Sequence, residues 1–299
     1  MPPGVPHPDE TPAIVPVLLR RMSLTPEGAA LWGEVTDTVA AEAPLTLRVE
    51  GQATAVVMRT PGHDRELAAG FLLTENVIQS ARDIFEISIC PSVKQPGPAG
   101  AVGDPGDSVD ILLANKSSFD PGKLTRHVFT SSSCGICSKT GLTTAIAPER
   151  VLTPSASPLV SASLIATLPE KLRAAQPAFA RTGGLHACAW WPLEGNSDNI
   201  ICDSPPLLFE DVGRHNALDK LLGHALLTNQ PLHAGLLLLS GRISFELVQK
   251  ALAARIPIIA AVGAPSSLAV NYAAAAGITL CGFVREDRMN VYTHPSRIC

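Results

Sequence analysis

Residues 235–283 read GLLLLSGRISFELVQKALAARIPIIAAVGAPSSLAVNYAAAAGITLCGF, and their pattern decides the fold class. The run Gly235–Leu239 is apolar throughout and too short for a helix, which marks a strand buried on both faces. Ile243–Ala254 follows with helical periodicity, Ile256–Val262 is a second apolar strand, Ser266–Ala276 a second helix and Ile278–Phe283 a third strand. Strands alternating with helices of this length form βαβ units. These need parallel strands, right-handed crossovers and helices covering the sheet.

Upstream, a helix begins after Asp211 and carries Leu218, Leu221, Leu222 and Leu226 on one face. Before it, His186–Trp191 and Ile200–Asp203 read as strands joined by the turn Glu194-Gly195-Asn196, and Val160–Ala175 as a helix broken by Pro177. The order α-β-β-α-β-α-β-α-β over residues 159–299 predicts a three-layer α/β/α domain that opens with a hairpin, the element order of the cytidine-deaminase-like fold. A smaller α/β roll is expected over 44–125. Leu45, Leu47 and Val49 alternate with polar residues and pair with Ala53–Met58 across Glu50-Gly51-Gln52. A helix Arg65–Thr74 follows, then strands Ile84–Cys90 and Val109–Ala114 around the connector KQPGPAGAVGDPGDS. Residues 1–43, rich in proline, read as an irregular arm, and 126–158 as a cysteine-bearing linker.

The composition bounds the function. At 299 residues the chain can bury a sizeable core, and with 46 % hydrophobic and 4 % aromatic residues that core is built of Leu, Ile, Val and Ala. A net charge of −4 argues against coating nucleic acid through overall charge. No apolar run approaches a bilayer span, and MPPGVPHPDETP lacks the pattern of a secretion signal. Seven scattered cysteines do not make a disulfide framework, so a cytoplasmic protein with free thiols is expected.

In an open α/β sheet, ligands bind beyond the carboxyl ends of the strands, where loops meet helix N-termini. Four segments fall there. FEDVGRHNALDK brings Arg214 and His215, with Asp211 and Asp219 as helix-cap or partner carboxylates. Ser240-Gly241-Arg242 offers backbone N–H groups and a guanidinium, and Gly263-Ala264-Pro265-Ser266-Ser267 offers small residues. Phe283-Val284-Arg285-Glu286-Asp287-Arg288, after the last expected strand, holds two arginines in an acidic chain. Together these loops describe a phosphate-binding rim, although each alone suits an ordinary turn or cap. Neither a P-loop nor a GxGxxG signature occurs. The helix starts DVGRHN and SGRISFE carry no cysteine, so the deaminase metal site is missing and no metal is expected.

Thr130-Ser131-Ser132-Ser133-Cys134-Gly135-Ile136-Cys137-Ser138-Lys139 holds the one close cysteine pair. Redox exchange, a share in a zinc site, two incidental thiols and sulfur carriage all remain open for Cys134 and Cys137 on spacing alone. Cys90, Cys188, Cys202 and Cys281 lie in or beside apolar strands and read as small core residues.

With these segments assembled, the chain resembles the formate dehydrogenase accessory sulfurtransferase (FdhD) family. The matching pieces are PLTLRVEG, TPGHDRELAAGFLLTENVI, CGIC, RTGGLHACAW, EDVGRHNALDKLLG, SGRISFELVQKA, GAPSSLAVNYA and VYTHP, in order over residues 44–298. The resemblance implies a sulfurtransferase that takes sulfur from a cysteine desulfurase as a persulfide on Cys134, with Cys137 as its partner thiol. It implies delivery to the molybdenum cofactor, bis-molybdopterin guanine dinucleotide, before that cofactor enters formate dehydrogenase. It further implies cofactor contacts along Phe283–Arg288, and a homodimer. Arg214, His215 and Arg242 join the expected site from the loop argument. Glu286-Asp287 departs from the family's pattern. The rival expectations are a cofactor chaperone that transfers no sulfur, and a Cys-x-x-Cys redox protein.

Overall fold

A computed structural model describes residues 13–90, 107–116, 119, 151–153, 159–193 and 204–299. The expected Cys134–Cys137 loop and Cys202 lie outside the described residues, as does Ile200–Asp203.

The arm expected to be irregular contains a long antiparallel hairpin, β1 (Ile14–Leu24) with β2 (Ala30–Ala40). Apolar residues occupy both faces of both strands, which erased the period-two signal, and the nearby prolines suggested irregularity. The hairpin closes through Thr25, which accepts from Gly28 N at 2.9 Å, with Gly28 at φ 85°.

Next come β3 (Ala43–Val49) and β4 (Gln52–Arg59), joined where Glu50 and Gly51 both take positive φ. Two successive positive φ values are what a tight two-residue hairpin turn needs. Helix α1 (Asp64–Thr74), β5 (Ile84–Cys90) and β6 (Asp107–Leu113) complete a sheet of order β4-β3-β6-β5. β3 and β6 run parallel, and α1 packs Leu67, Phe71 and Leu72 against Leu45, Leu47, Val109 and Ile111.

The larger part begins with α2 (Ala162–Ala174), capped where Ser161 Oγ accepts from Leu164 N at 3.2 Å. Pro177 ends that helical pattern as expected, but it also starts a short helix, α3 (Pro177–Thr182). β7 (His186–Pro192) pairs with β8 (Leu207–Asp211), a strand the sequence reading did not include. The sequence 207–211 ends in two carboxylates, so its apolar half was too short to register as a strand.

Then follow α4 (Arg214–Leu227), β9 (Gly235–Leu239), α5 (Phe245–Ala253), β10 (Ile258–Ala261), α6 (Ser267–Ala276), β11 (Thr279–Arg285) and β12 (Arg288–Thr293). The sheet order is β12-β11-β10-β9-β7-β8, with β9, β10 and β11 parallel and the flanking strands antiparallel. One face carries α4, α5 and α6; the other carries α2, whose Ile165, Leu168 and Leu172 meet Trp191, Leu238 and Val284. This is the expected three-layer α/β/α arrangement. β12 was not expected: its Arg288, Asn290 and Tyr292 read as surface, and as an exposed edge strand it buries little.

The two parts meet backbone to backbone. A side chain at Gly223 would place its Cβ 1.8 Å from Glu66 O, and one at Gly70 would lie 1.9 Å from Asp219 O. Beside this crossing, Lys250 Nζ donates to both oxygens of Asp219 at 2.9 Å, a pair shut from water, and to the half-buried Thr74 Oγ1 at 2.9 Å.

Candidate functional site

The carboxyl ends of the three parallel strands form one continuous edge. Gly263 N donates to Gly241 O at 3.3 Å, Ile243 N to Ala264 O at 3.0 Å and Phe283 N to Gly263 O at 3.1 Å. The loops after β9 and β10 therefore stack against the end of β11. Only glycine permits this at 263, because a Cβ there would lie 2.6 Å from Gly241 O. Ser240 ties the edge to β7: its Oγ accepts from Ala187 N at 2.9 Å, and its own N–H donates to Ala187 O at 3.0 Å. A Cβ on Gly241 would touch the His186 ring at 3.3 Å and approach Arg214 Cδ at 3.9 Å. Three of the four expected segments are thus joined directly, and the fourth reaches them through Arg214.

Beside this edge lies a cleft of about 690 Å³. Ser240, His186, Val262, Arg285 and Glu286 line one side, and Arg173, Gln176, Phe179, Gly183 and Gly184 of the α2–α3 corner line the other. Arg285 is held at the rim by Nη1, which donates to Val262 O at 2.9 Å and Val284 O at 2.7 Å. The tract 283–288 is not a loop after the last strand but the tip of the β11–β12 hairpin, with Arg285 and Arg288 as register partners. Val284 is buried, so its side chain serves the core. Phe283 is exposed with φ 53°, within a register irregularity that turns it out of the regular alternation. Glu286 faces the cleft. Asp287 is exposed, and Arg288 is exposed outside the lining.

The cleft lining sets Arg173 and Arg285 against Glu170 and Glu286, and Arg214 and Arg242 bring further positive charge to His186. Burial, then the positive charge of Arg214, depress the His186 imidazole, with Arg242 adding to them and Asp211 opposing. His215 is pushed down to about 3, by burial first and then by Lys250, Arg214 and His186, although Glu246 Oε2 lies 3.5 Å from its ring. It is therefore neutral near pH 7, and its Nε2 sits 3.0 Å from Ser244 Oγ, behind the cleft rather than in it. Asp211 is fully buried. It accepts from Thr60 N at 3.1 Å, Gly213 N at 2.8 Å and Asn216 Nδ2 at 3.1 Å, and pairs with Lys220 Nζ at 2.8 Å. Of that motif, Asp211 and His215 hold the architecture while Arg214 faces His186.

His215 gives a pH dependence with a definite sign. Its folded value lies far below the ordinary 6.5, so its stabilising contribution is complete above about 6.5. As pH falls towards 3, the unfolded chain takes up a proton that the folded site refuses, and that contribution is lost. The melting temperature of wild type minus that of His215→Gln should decline from pH 7.5 to pH 5. A flat difference would show that His215 is not held neutral by its surroundings.

The α2–α3 wall was not anticipated. Glu210 holds it in place: the carboxylate accepts from Phe179 N at 2.7 Å and Ala178 N at 3.0 Å, fixing the start of α3. Such a contact links residues 31 positions apart and leaves no local pattern. Arg173 stacks over Phe179 at 5.9 Å, giving the wall a charged, planar surface.

Among the described thiols, Cys188 and Cys281 are buried as expected, and burial pushes Cys281 up to about 12 and Cys188 upward too. Neither can act as a thiolate. Cys90 was expected in the core but is exposed, because it ends its strand on the solvent side. Among the described residues no group of three or more His, Cys, Asp or Glu could hold a metal ion. No described helix is long and apolar enough to cross a membrane.

The model of the FdhD/NarQ family matches residues 40–299. "Sulfur carrier protein FdhD" of Nocardia farcinica is 42 % identical over 280 residues, 93 % of each chain. The protein of the same name from Mycobacterium tuberculosis is 45 % identical over 264 residues, 88 % of this chain and 92 % of that one. The Streptomyces avermitilis protein is 46 % identical over 267 residues, 88 % and 89 % of the two chains. A crystal structure of a candidate formate dehydrogenase accessory protein from Desulfotalea psychrophila superposes with a TM-score of 0.65 at 24 % identity, covering 95 % of this chain and 99 % of that one. At that identity it attests the fold.

Proposed function

The chain belongs to the FdhD/NarQ family, and from that premise we propose that it carries sulfur to the molybdenum cofactor of a formate dehydrogenase. Its likeness over nearly the whole length to proteins named sulfur carriers is the observation that carries this reading. Cys134 is the carrier and Cys137 its partner thiol. The Cys134 thiolate attacks the terminal sulfur of a persulfide on a cysteine desulfurase, forming a new S–S bond while the donor's S–S bond breaks and leaves a thiolate behind. Delivery runs in the same sense: an electron pair of the cargo forms the new bond to the terminal sulfur, the persulfide S–S bond breaks, and its bonding pair leaves with Cys134 as a thiolate. Both buried thiols, Cys188 and Cys281, are too basic to compete.

The cargo, bis-molybdopterin guanine dinucleotide, is a polyanion, and the cleft suits one nucleotide arm of it. About 690 Å³ lies within the ordinary range for a site of that size. Arg285 and Arg173 supply charge, while Ser240 and the Gly241 edge supply polar groups. The cytoplasm, where desulfurases and free thiols coexist, is the proposed compartment. A pure cofactor chaperone would use the same cleft without the thiols, and it predicts no added sulfur. Mass spectrometry after incubation with a desulfurase and cysteine decides: one extra sulfur on Cys134 is expected, and its absence would overturn the carrier reading.

The rim separates the two arginines of the hairpin. Arg285→Ala should weaken binding of a guanine nucleotide roughly ten- to hundred-fold, since a charged hydrogen bond contributes about 1.5–3 kcal/mol. Arg288→Ala, outside the lining, should change it less than about threefold. Calorimetric titration of both variants tests this. Loss in Arg288→Ala with Arg285→Ala unaffected would move the site to the outer face of the hairpin.

A further inference from the structure

His186 opens β7 and lines the cleft next to Ser240. Its half-buried ring packs on the Gly241 edge, where a Cβ would come within 3.3 Å of Nδ1 and 3.4 Å of Cε1. No described residue hydrogen-bonds to this ring, whereas the rings of His215 and His294 are held at Ser244 Oγ and Ala274 O. Its strand partner Asp211 is already shared among Thr60, Gly213, Asn216 and Lys220. An imidazole open to the cleft and unspent within the protein can bond to whatever enters.

We propose, resting on the reading of the cleft as the cargo site, that His186 is a proton-linked part of the phosphate site: neutral before cargo enters, it takes up one proton from solvent as a pyrophosphate diester settles beside it. Burial first, then Arg214 and Arg242, hold the imidazole below its ordinary 6.5, and Asp211 opposes them only in part. His215, pushed down to about 3, adds no charge from behind. Across the cleft, Arg173 and Arg285 favour an anion while Glu170 and Glu286 oppose one. An entering diester brings two negative charges to the same place and cancels the guanidinium charge that kept the ring neutral. The imidazolium then donates a charge-assisted hydrogen bond to a phosphate oxygen, and no covalent bond of the cargo changes. By linkage the anion raises proton affinity by the same factor as the proton raises anion affinity, roughly 5- to 150-fold for coupled sites. The sign is fixed. Binding tightens as pH falls, and the gain builds between the pH at which the bound ring titrates and the lower pH at which the free ring does.

Calorimetric titration of the full chain with GDP-mannose tests the proposal, because the two charges of that pyrophosphate diester do not change between pH 6 and pH 8. Wild type should bind about fivefold or more tighter at pH 6 than at pH 8. At pH 6.5, heats measured in two buffers of different ionisation enthalpy should count a net uptake of up to one proton per nucleotide. His186→Gln should bind with one affinity at both pH values and take up no proton. Should that variant fail to fold, the proton count on wild type decides alone. A wild type that binds equally at both pH values without proton uptake would overturn the proposal and leave the cleft as the cargo site. So would a His186→Gln protein that keeps the wild-type pH dependence. No binding at any pH would overturn the cleft reading, and the role of His186 with it.

Discussion

Cys134→Ala is expected to gain no sulfur from a desulfurase and to leave formate dehydrogenase at its background activity. A carrier needs a thiol that is accessible and forms a thiolate near neutral pH. Cys188 donates its S–H to Ala217 O at 2.9 Å inside the core, and Cys281 is sealed between the sheet and α2. Cys90 and Cys299 are exposed but stand without a close second thiol in sequence. Cys137→Ala should retain part of the loading, because release of sulfur, rather than its capture, is what a second thiol assists. Labelled sulfur counted on each variant, alongside activation of the client, makes the comparison. Normal activation by Cys134→Ala would end the persulfide assignment.

Gly223→Ala should be among the most damaging single-methyl changes in the protein. The added Cβ would lie 1.8 Å from Glu66 O and 2.7 Å from Gly70 N, both of them backbone atoms that no rotamer change can move aside. Helices α1 and α4 would have to separate, stretching the buried contact of Lys250 with Asp219 and Thr74 that flanks the crossing. Overpacking of a well-filled core costs about 1–3 kcal/mol, and a clash with backbone belongs at or above the upper end. Roughly 3 kcal/mol or more corresponds to a fall in melting temperature of about 6–12 °C for a domain of this size. Gly183→Ala is the control, since nothing lies within 4 Å of a Cβ there and only its positive φ opposes the change. A Gly223→Ala protein that melts with wild type would mean the helices are not in backbone contact.

What could be read from the chain follows from the range of the forces involved. The βαβ series was legible because each strand is buried on both faces and each helix on one, so local composition repeats the architecture. Leu236, Leu238 and Ile258 have no polar neighbour in their strands to confuse the pattern. The β1–β2 hairpin was illegible for the opposite reason: its two faces are alike, and alternation has nothing to alternate between. The site divided in the same way. The glycine edge at 241 and 263 is built by backbone and could be placed by its position after strands, whereas Arg285, expected beyond the last strand, ends β11 in a hairpin. The α2–α3 wall could not, because Glu210 recruits it across the fold. His215 was drawn to the site by its motif, yet the structure turns it inward to Ser244.

Thr60 has a bearing on how the molecule moves. Its N–H goes to Asp211, its Oγ1 accepts from Val212 N at 3.1 Å and its carbonyl accepts from Lys220 Nζ at 2.8 Å, so every polar group of one roll residue is held by the larger domain. Rotating the roll away would strip the buried Asp211–Lys220 pair of its bonds to Thr60 and leave Val212 N without its acceptor. Hinge closure between domains ordinarily turns on a few loosely held residues, and this junction is instead riveted. The roll and the layered domain therefore travel as one rigid frame. Any widening of the cleft is then left to its own margins, the hairpin tip at Glu286-Asp287 and the corner between α2 and α3, and not to a hinge between the two parts.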